Sequence, residues 1–347
     1  MHNENNRNNG DEKMNFDKTE RYCFDDVLLA PQYSEIGSRK DIDISTEIAG
    51  ITLRTPIISA NMDTITEEAM AEAMYECGGL GILHRYCHSA KIEGRINYLN
   101  SSGIPSIPSV GVNVYDKMFI KSISRLSLSA VCIDIAHGHC NRTKEMIQFL
   151  KDLGYEVIAG NVATEEGAHF LAQSGADAIK VGIGPGSLCT TRLVTGSGVP
   201  QLSAIIEVCE IKRRFPYIKI IADGGIKTSG DIVKALAAGA DAVMIGRLFA
   251  GCKETPGEVV GGKKVYRGMA SFSAQMDFNG EVHGIPEGEA IFVDSKGPVK
   301  NIIKDLSDGI RSGFSYSGAL NIKDLQEKAH FIKVSSNTLI ENGWRRE

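Results

Sequence analysis

From residue 55 onward, the sequence alternates between short apolar runs of β type and amphipathic segments of helical type. The β-type runs occupy residues 55–63, 78–85, 105–113, 129–138, 155–163, 176–184, 218–226 and 240–248. Near-continuous apolar strands that alternate with helices are typical of a parallel sheet covered on both faces. Eight such units over roughly 200 residues predict a (β/α)8 barrel, the TIM-barrel fold. A doubly wound open sheet is the competing layout, but it often carries a glycine fingerprint after its first strand, which this sequence lacks.

Two parts of the chain lie outside this repeat. Residues 20–50 predict an N-terminal hairpin at the entrance to the barrel, and residues 251–318 form a long excursion after the eighth strand. An excursion of that length is typical of a functional lid, so we expect a flap over about residues 251–300. The sequence LQEKAHFIKVS then predicts a C-terminal helix and strand. We expect residues 20–347 to form a single catalytic domain, preceded by a disordered asparagine-rich tail over residues 1–19.

Composition and charge narrow the classes of function. The chain has 347 residues, of which 42% are hydrophobic, and a formal net charge of −5. An acidic chain lacks the basic footprint of a nucleic-acid-binding protein, so we expect no nucleic-acid partner. No apolar run reaches the roughly 20 residues that cross a bilayer, and the first residues lack the apolar core of a signal peptide. These observations predict a cytoplasmic protein with no membrane partner.

Eight cysteines are scattered along the chain, and their spacing does not suit a zinc site. In a reducing compartment we expect seven of them to be small buried apolar residues, namely Cys23, Cys77, Cys87, Cys132, Cys140, Cys209 and Cys252. Cys189 differs because it follows the glycine-rich stretch VGIGPGS and precedes Thr190, Thr191 and Arg192. A thiol beside a cation or aligned amides is a strong nucleophile, and Arg192 and the turn amides supply such neighbours. The alternative interpretation is a buried cysteine inside a cation- or phosphate-binding turn.

A second glycine-rich region follows the seventh predicted strand. In ADGGIKTSGDI, residues 222–232, the glycines let the backbone approach an anion, and the next helix presents its N-terminal amides. Gly246, after the eighth strand, provides a second place where the backbone can approach the anion, and Arg247 adds positive charge. This is the usual phosphate position in barrels, and FMN oxidoreductases carry a very similar stretch. The region therefore predicts a phosphorylated ligand, with Asp223 suited to ribose hydroxyls or, alternatively, to capping the helix.

Ordered blocks over nearly the whole chain resemble a single family. The blocks are FDDVLLAPQYS (24–34), ANMDT (60–64), IDIAHGH (133–139), AGNV (159–162), VGIGPGSLCTTR (181–192), GVPQLSA (198–204), IADGGIKTSGDI (221–232), YRGMAS (266–271), PEG (286–288) and GIRSGFSYSGA (309–319). On these blocks the sequence is identified as a member of the IMP dehydrogenase/GMP reductase family. The resemblance implies a barrel, a homotetramer, a nicotinamide cofactor and a cysteine that attacks C2 of a purine nucleotide.

The resemblance also implies roles for individual residues. Cys189 is expected to be the nucleophile, Thr191 to assist proton movement and Glu287 to help protonate the leaving ammonia. The expected substrate-binding residues are Ser187, Gly225, Gly246 and Tyr266 for the phosphate, Asp223 for the ribose, Gly268 and Met269 for the base, and Asn161 and Gly184 along the nucleotide site. The expected cofactor-binding residues are Asp134, Ala136 and His137. The resemblance further suggests a potassium ion at the turn carbonyls of Gly182, Gly184 and Cys189.

The flap distinguishes the two branches of the family. In the dehydrogenase branch an Arg–Tyr pair on this flap activates water, whereas the reductase branch must avoid hydrolysis of the same intermediate. Residues 268–288 contain no arginine, lysine or tyrosine, and no pair of regulatory CBS-type domains is inserted after the second strand. The resemblance therefore favours the reductase branch, in which NADPH reduces GMP to IMP and ammonia is released.

Four alternatives stay open. An IMP dehydrogenase without the regulatory insertion would convert IMP and NAD⁺ to XMP, with His283 as the flap base near neutral pH. A divergent relative would act on another purine nucleotide. An FMN-dependent barrel oxidoreductase is a third alternative, but its chemistry does not explain the residues of the Cys189 loop. A non-catalytic nucleotide-binding protein does not explain why Cys189, Thr191, Asp223 and Glu287 occur together.

Overall fold

The elements follow the alternation expected from the sequence. The computed structural model describes residues 17–282 and 284–341, so most of the predicted tail, residues 1–16, and His283 lie outside the described residues. The strands, in chain order, are β1 (Val27–Leu29), β2 (Thr46–Ile48), β3 (Ile51–Leu53), β4 (Ile57–Ser59), β5 (Leu80–Gly81), β6 (Ser109–Val110), β7 (Val131–Asp134), β8 (Val157–Val162), β9 (Ala178–Val181), β10 (Lys219–Asp223), β11 (Ala242–Ile245), β12 (Lys263–Arg267), β13 (Ala290–Asp294) and β14 (Phe331–Lys333). The helices are α1 (Glu68–Glu76), α2 (Ser89–Ser101), α3 (Val114–Ser122), α4 (Asn141–Asp152), α5 (Glu165–Gln173), α6 (Thr191–Thr195), α7 (Gln201–Cys209), α8 (Ser229–Ala237), α9 (Phe272–Asn279), α10 (Val299–Tyr316), α11 (Ile322–Lys328) and α12 (Ser336–Glu341).

Strands β4 to β11 form one eight-stranded sheet that closes into a barrel. The strand order is β5-β4-β11-β10-β9-β8-β7-β6, and each neighbouring pair is parallel. A parallel bridge between Leu83, just after β5, and Pro108, just before β6, joins the two edges of the sheet. Each of the eight β-type runs in the sequence contains one of these strands, so the predicted (β/α)8 TIM barrel is confirmed.

Two apolar layers hold the barrel together. Inside it lie buried residues that include Ile58, Leu80, Cys132, Ile158, Ile221 and Met244. The opposite faces of the same strands pack against the helices through residues such as Ile57, Val131, Val157, Ile179, Ile220 and Val243. Because successive side chains of a strand point to opposite faces, neighbours such as Ile57 and Ile58 enter different layers. Both faces are buried, which explains why the runs are apolar throughout rather than alternating.

The long excursion after the barrel ends earlier than the sequence analysis expected. Residues 251–318 were expected to lie outside the barrel, but α10 packs against α8 and α1 and completes the outer layer as the eighth barrel helix. Its buried residues include Ile303, Leu306, Ile310 and Phe314, which recur at helical spacing. The excursion proper therefore ends at Pro298, two residues before the end predicted for the flap.

The predicted N-terminal hairpin is displaced along the chain. β2 and β3 form the hairpin, with Ala49 and Gly50 at its turn, so its second strand lies beyond the predicted boundary at residue 50. Both turn residues have positive φ, as the central residues of a type I′ hairpin turn do. β1 instead pairs antiparallel with β14. The predicted C-terminal helix and strand are α11 and β14, so this strand ties the two ends of the domain together.

The flap is an antiparallel ribbon of β12 and β13 with α9 between them. Ser271 caps α9 by accepting a hydrogen bond from the amide of Ala274, and Gly280 ends the helix in a left-handed conformation. Between β5 and β6 the chain forms α2. None of the described helices combines the length and the apolarity that a bilayer-spanning segment requires.

Candidate active site

Three adjoining cavities lie at the carboxyl ends of the barrel strands. The central cavity has a volume of about 440 Å³. It shares Ser187 and Asp223 with a cavity of about 310 Å³, which we call the phosphate-end cavity. It shares Thr191 and Glu287 with a cavity of about 350 Å³, which we call the outer cavity. Active sites of (β/α)8 barrels lie at this end, so the three cavities together define the candidate site.

The structure brings the predicted site residues together around these cavities. The central cavity is lined by Asp134, Ala136, Asn161, Gly182, Gly184, Ser187, Cys189, Thr191, Asp223, Tyr266, Gly268, Met269 and Glu287. The phosphate-end cavity adds Gly225 and Gly246, and the outer cavity adds His137. Residues drawn from separate loops and the flap thus meet in one continuous cleft.

A hydrogen-bonded chain of three side chains occupies the centre of the cleft. The thiol of Cys189 donates to Thr191 Oγ1 at 3.1 Å, and that hydroxyl donates to Glu287 Oε2 at 2.7 Å. Cys189 comes from the loop after β9 and Thr191 begins α6, whereas Glu287 comes from the flap. The arrangement links a nucleophile, a hydroxyl and a carboxylate in the order that proton transfer between them requires.

Backbone pairing holds this loop against the flap. The amide of Thr190 donates to the carbonyl of Glu287 at 3.1 Å, and the amide of Glu289 donates to the carbonyl of Leu188 at 3.0 Å. These bonds form an antiparallel bridge between Cys189 and Gly288. The thiol and the carboxylate therefore belong to one paired unit, even though they lie far apart in the sequence.

Close backbone approaches explain the glycines of the VGIGPGS stretch. At Gly182 a Cβ atom would lie 2.1 Å from the carbonyl oxygen of Asp223, and φ is +149°. At Gly184 a Cβ would lie 2.4 Å from Arg192 Cγ, and φ is +80°. Only glycine fits such positions without displacing its neighbours. The turn is thus packed against both the β10 end and the Arg192 side chain.

Arg192 braces the turn instead of contacting the thiol. Its Nε donates to the carbonyl of Ile183 at 3.2 Å, and its terminal nitrogen donates to the carbonyl of Val199 at 2.5 Å. The expectation that this guanidinium activates Cys189 is therefore not supported by its contacts. The side chain that contacts the Cys189 thiol is the hydroxyl of Thr191.

The phosphate-end cavity is lined by the turn before α8 rather than by the whole helix terminus. Asp231 Oδ2 accepts from the amides of Lys227 and Thr228, each at 2.9 Å, in a capping box. Those two amides are therefore committed to the helix cap. The turn of Gly224 to Lys227 lines the cavity, and the amides of Gly224, Gly225 and Ile226 are not part of that cap. Ser187 Oγ, which lines the same cavity, lies 3.5 Å from Tyr266 Oη.

Asn161 and Asp223 form the polar wall of the central cavity. Asn161 Nδ2 donates to Asp223 Oδ2 at 2.9 Å and to the carbonyl of Gly182 at 2.8 Å. Asn161 Oδ1 is buried and accepts no hydrogen bond from the described part of the chain. A buried acceptor at a cavity wall suits a ligand donor, because leaving it unpaired costs about 1–3 kcal/mol. Asp223 thus faces the cavity and does not cap α8.

Lys180 lies beneath the same wall and was not among the predicted site residues. Its Nζ donates to Asp134 Oδ1 at 2.7 Å, to Asp223 Oδ2 at 3.3 Å and to Asn61 Oδ1 at 3.5 Å. Burial alone would lower the pKa of this lysine, but the two carboxylates outweigh burial and hold its pKa above the usual range. The sequence did contain a signal, because Lys180 interrupts the apolar run ADAIKVGIG.

Two side-chain contacts add to the backbone pairing that holds the flap over the cleft. Arg267 bonds Asp63 through Nε at 2.9 Å and also pairs with Asp277 on α9 at 2.5 Å. Phe278 stacks on Tyr86 with ring centroids 4.8 Å apart and planes 4° apart. Tyr86, in the loop after β5, also lines the central cavity, so the stack joins the flap helix to the cavity wall.

The cysteines other than Cys189 differ in burial more than expected. All eight are free. Cys132 and Cys252 are fully buried, and burial raises their pKa values to about 12 and about 11. The expectation of burial is wrong for the other five, which are partly exposed: Cys23, Cys77, Cys87, Cys140 and Cys209. Three of them, Cys77, Cys87 and Cys209, pack against the apolar core on one side and remain partly exposed on the other.

A monovalent cation site remains a prediction. The carbonyl of Gly182 already accepts from Asn161 Nδ2, which leaves one lone pair for a cation. The carbonyls of Gly184 and Cys189 lie on the same turn. Within residues 17–282 and 284–341, no group of three or more His, Cys, Asp or Glu side chains is arranged to hold a metal ion.

Comparison with known proteins identifies the family of the chain. The model of the IMP dehydrogenase / GMP reductase domain matches residues 21–344. An inosine-5'-monophosphate dehydrogenase of Borreliella burgdorferi is 36% identical in an alignment 390 residues long, which spans 93% of this chain and 96% of that protein. A GMP reductase of Buchnera aphidicola is 37% identical in an alignment 339 residues long, which spans 93% of this chain and 97% of that protein.

A solved structure shares the whole fold. The crystal structure of a cysteine-to-alanine variant of GMP reductase from Trypanosoma brucei, in complex with guanosine 5'-monophosphate, superposes with a TM-score of 0.87. It is 29% identical to this chain, and the match covers 94% of this chain and 98% of that chain. On the extent of the domain match and the identity of these relatives, the chain belongs to the IMP dehydrogenase / GMP reductase family, whose members are oxidoreductases that bind purine nucleotides and a nicotinamide cofactor.

Proposed function

We propose that the protein is a GMP reductase, which converts GMP, NADPH and two protons to IMP, NADP⁺ and ammonium. The observation that carries the proposal is the chain of hydrogen bonds from Cys189 through Thr191 to Glu287. It supplies a nucleophile for C2 of the purine and a route by which a proton can reach the departing amine. The 2-amino group of GMP makes such a route necessary, because an amine leaves only after it is protonated.

In the first half-reaction the sulfur of Cys189 forms a bond to C2 of GMP. The electron pair of the C2–N bond then leaves with the amino group, which departs as ammonia after receiving a proton. The proton that the thiol loses passes through the hydroxyl of Thr191 to Glu287, along hydrogen bonds of 3.1 and 2.7 Å, and Glu287 then gives it to the departing amine. The product of this half-reaction is a thioimidate between Cys189 and the purine.

In the second half-reaction the C–S bond breaks. Bound NADPH supplies a hydride to C2, and the electron pair of the C–S bond returns to Cys189. Asp134 suits the ribose of the cofactor, because it is only 21% exposed and lies at the wall of the central cavity. The buried, unpaired Oδ1 of Asn161 on the same wall gives a ligand donor a partner. Ala136 and His137 extend the surface into the outer cavity, to which we assign the rest of the cofactor.

The GMP itself fits the other end of the cleft. Ser187, Gly225, Gly246 and Tyr266 surround the phosphate-end cavity, whose turn amides suit an anion. Asp223 is placed between that cavity and the central one, where a ribose would connect phosphate to base. Gly268 and Met269 contribute the flap wall that covers the base, and Gly184 lies on the turn opposite. We assign these residues to GMP because they follow one another along the cleft in the order phosphate, ribose and base.

The flap composition favours reduction over hydrolysis. Hydrolysis of the thioimidate would need a base that activates water, and residues 268–288 contain no arginine, lysine or tyrosine. The second candidate is an IMP dehydrogenase, and it stays open because relatives of both names match this chain at similar identity. Under that reading His283, which lies outside the described residues, would have to be the base.

The proposal extends to assembly and to cations. We expect a homotetramer in the cytoplasm and activation by potassium at the carbonyls of Gly182, Gly184 and Cys189. Light scattering coupled to size exclusion measures the mass against 37.5 kDa for one chain. Replacing potassium by lithium in the assay tests the cation, because lithium is too small for a site built from these carbonyls.

The deciding experiment measures absorbance at about 340 nm in two reactions. One contains GMP and NADPH, and the other contains IMP and NAD⁺. A fall in the first, with ammonia and IMP formed, supports the reductase. A rise in the second, with XMP formed, supports the dehydrogenase and refutes the proposal. The Cys189→Ala variant is the control for both reactions, because it removes the nucleophile and leaves the cavities intact.

A further inference from the structure

Lys180 is a fully buried charge that no step of the proposed reaction uses. Its side chain is 2% exposed, and it lies on β9 at the wall of the central cavity. Asp134, Asp223 and Asn61 each offer it an oxygen between 2.7 and 3.5 Å away. An ammonium group has three protons, so these oxygens account for its full donor capacity. The lysine is therefore bound to protein partners and is not free to contact a ligand.

The two carboxylates that it joins belong to different parts of the cleft. Asp134 ends β7 and Asp223 ends β10, and between these two strands lie β8 and β9, the second of which carries Lys180. They are 21% and 20% exposed, and both line the central cavity. One oxygen of each carboxylate bonds Lys180, and each carboxylate also borders the space that a ligand would occupy. Asp134 faces the side that we assign to the cofactor, and Asp223 faces the side that we assign to GMP.

We propose that Lys180 is a positioning residue that serves both nucleotides at once, by fixing the carboxylates that receive the ribose hydroxyls of GMP and of the cofactor. The inference rests on the proposed function, from which it takes the two ligands. Without the ammonium, two buried carboxylates would face each other across the cavity floor. Like charges in a buried site are unstable, so one carboxylate would take up a proton or turn away.

The contacts also predict which ligand depends more on Lys180. The ammonium is closer to Asp134, at 2.7 Å, than to Asp223, at 3.3 Å. Asp223 Oδ2 has a second donor in Asn161 Nδ2, at 2.9 Å. When the lysine is lost, Asp223 keeps its Asn161 donor, and Asp134 keeps Asn61 and the positive charge of Arg85. Asp134 still loses the shorter of the two contacts with the ammonium. We expect cofactor binding to weaken more than GMP binding.

The test compares Lys180→Met with Lys212→Met. Lys212 also forms a lysine–aspartate pair, 2.7 Å from Asp241, but this pair lies at the amino ends of the strands, away from the cleft. Calorimetric titration gives the dissociation constants of GMP and of NADP⁺ for each protein. For Lys180→Met we expect NADP⁺ to bind about 30-fold or more weakly and GMP about 5- to 10-fold more weakly. For Lys212→Met we expect both constants to stay within about twofold of the unmodified protein.

A double variant separates positioning from general damage. In Lys180→Met with Asp134→Asn, one charge of each sign is removed, so Asp223 no longer faces a second carboxylate. We expect GMP affinity to recover to within about threefold of the unmodified protein, while NADP⁺ affinity stays weak. This variant also keeps the inference testable if Lys180→Met alone fails to fold.

Each result has a definite meaning. Equal affinities of Lys180→Met and the unmodified protein for both ligands would overturn the inference and leave the proposed function standing. GMP affinity that stays weak in the double variant would also overturn it, because a merely structural role predicts that outcome. An unmodified protein that binds neither GMP nor NADP⁺ would instead refute the proposed function.

Discussion

Glu287→Gln replaces the carboxyl group of the proposed relay by an amide and changes little else. Glutamine has the same shape and can still accept the hydrogen bond that Thr191 Oγ1 donates to Glu287 Oε2 at 2.7 Å. It cannot hold or release the proton that the departing amine needs. General acid–base catalysis contributes about 10²- to 10⁴-fold to rate, which is about 3–5 kcal/mol in the activation free energy. We therefore expect kcat to fall by that factor and the dissociation constant of GMP to stay within about threefold.

The assay also identifies the step that slows. NADPH is supplied with deuterium at the transferred position, and kcat is compared with the unlabelled cofactor. In Glu287→Gln the release of ammonia becomes slow, so the isotope effect on kcat should disappear and no thioimidate on Cys189 should accumulate after an acid quench. Glu289→Gln is the matched control, because Glu289 lies two residues further along the flap and its side chain is exposed. That variant should keep the kcat of the unmodified protein.

Two outcomes would refute this reasoning. An equal loss in kcat and in GMP affinity would make Glu287 a binding residue instead of a proton donor. A larger isotope effect in Glu287→Gln would mean that hydride transfer has become slower, so the carboxylate would act in the second half-reaction. Thr191→Val provides an independent check, because both changes interrupt one relay and their effects on kcat should not add.

Three further predictions follow from the same geometry. Cys189→Ala should bind GMP within about threefold of the unmodified protein and lose at least about 10³-fold in turnover, and substantial remaining activity would exclude the covalent route. Phe278→Ala removes the stack on Tyr86, so we expect kcat/KM to fall about 2- to 10-fold with no change in unfolding midpoint above about 2 °C; an unchanged kcat/KM would mean that the stack does not hold the flap. Asp134→Asn concerns pH, because the Lys180 charge overcomes the effect of burial and lowers the pKa of Asp134. Its ionised form therefore stabilises the folded state above the ordinary carboxyl pKa near 4, and the stabilisation is lost as pH falls through the lowered value. The difference in urea unfolding free energy between the two proteins should be constant from about pH 6 to 9 and shrink below about pH 4; a difference that grows in acid would contradict the assigned pKa direction.

The barrel could be predicted from the sequence because its signal is local and repeated. Each β-type run is apolar on both faces, and each following segment has the period of an amphipathic helix, so every unit carries the same information independently. The catalytic loop could also be predicted, since glycines, a thiol and hydroxyls stand together in VGIGPGSLCTT. The helix α10 was overlooked, although its apolar residues at helical spacing were visible, because it follows a long flap.

The pairings across the molecule were decided only by the tertiary structure. Glu287 meets Thr191 because the flap ribbon folds back over the barrel, and β1 meets β14 because the chain ends converge. Lys180 interrupts an apolar run in the sequence, but its importance depends on carboxylates from β7 and β10 that the closed barrel brings within reach. A sequence records which side chains alternate along a strand. The neighbours of a buried charge depend on how the barrel closes, which is set by the packing of all eight units together.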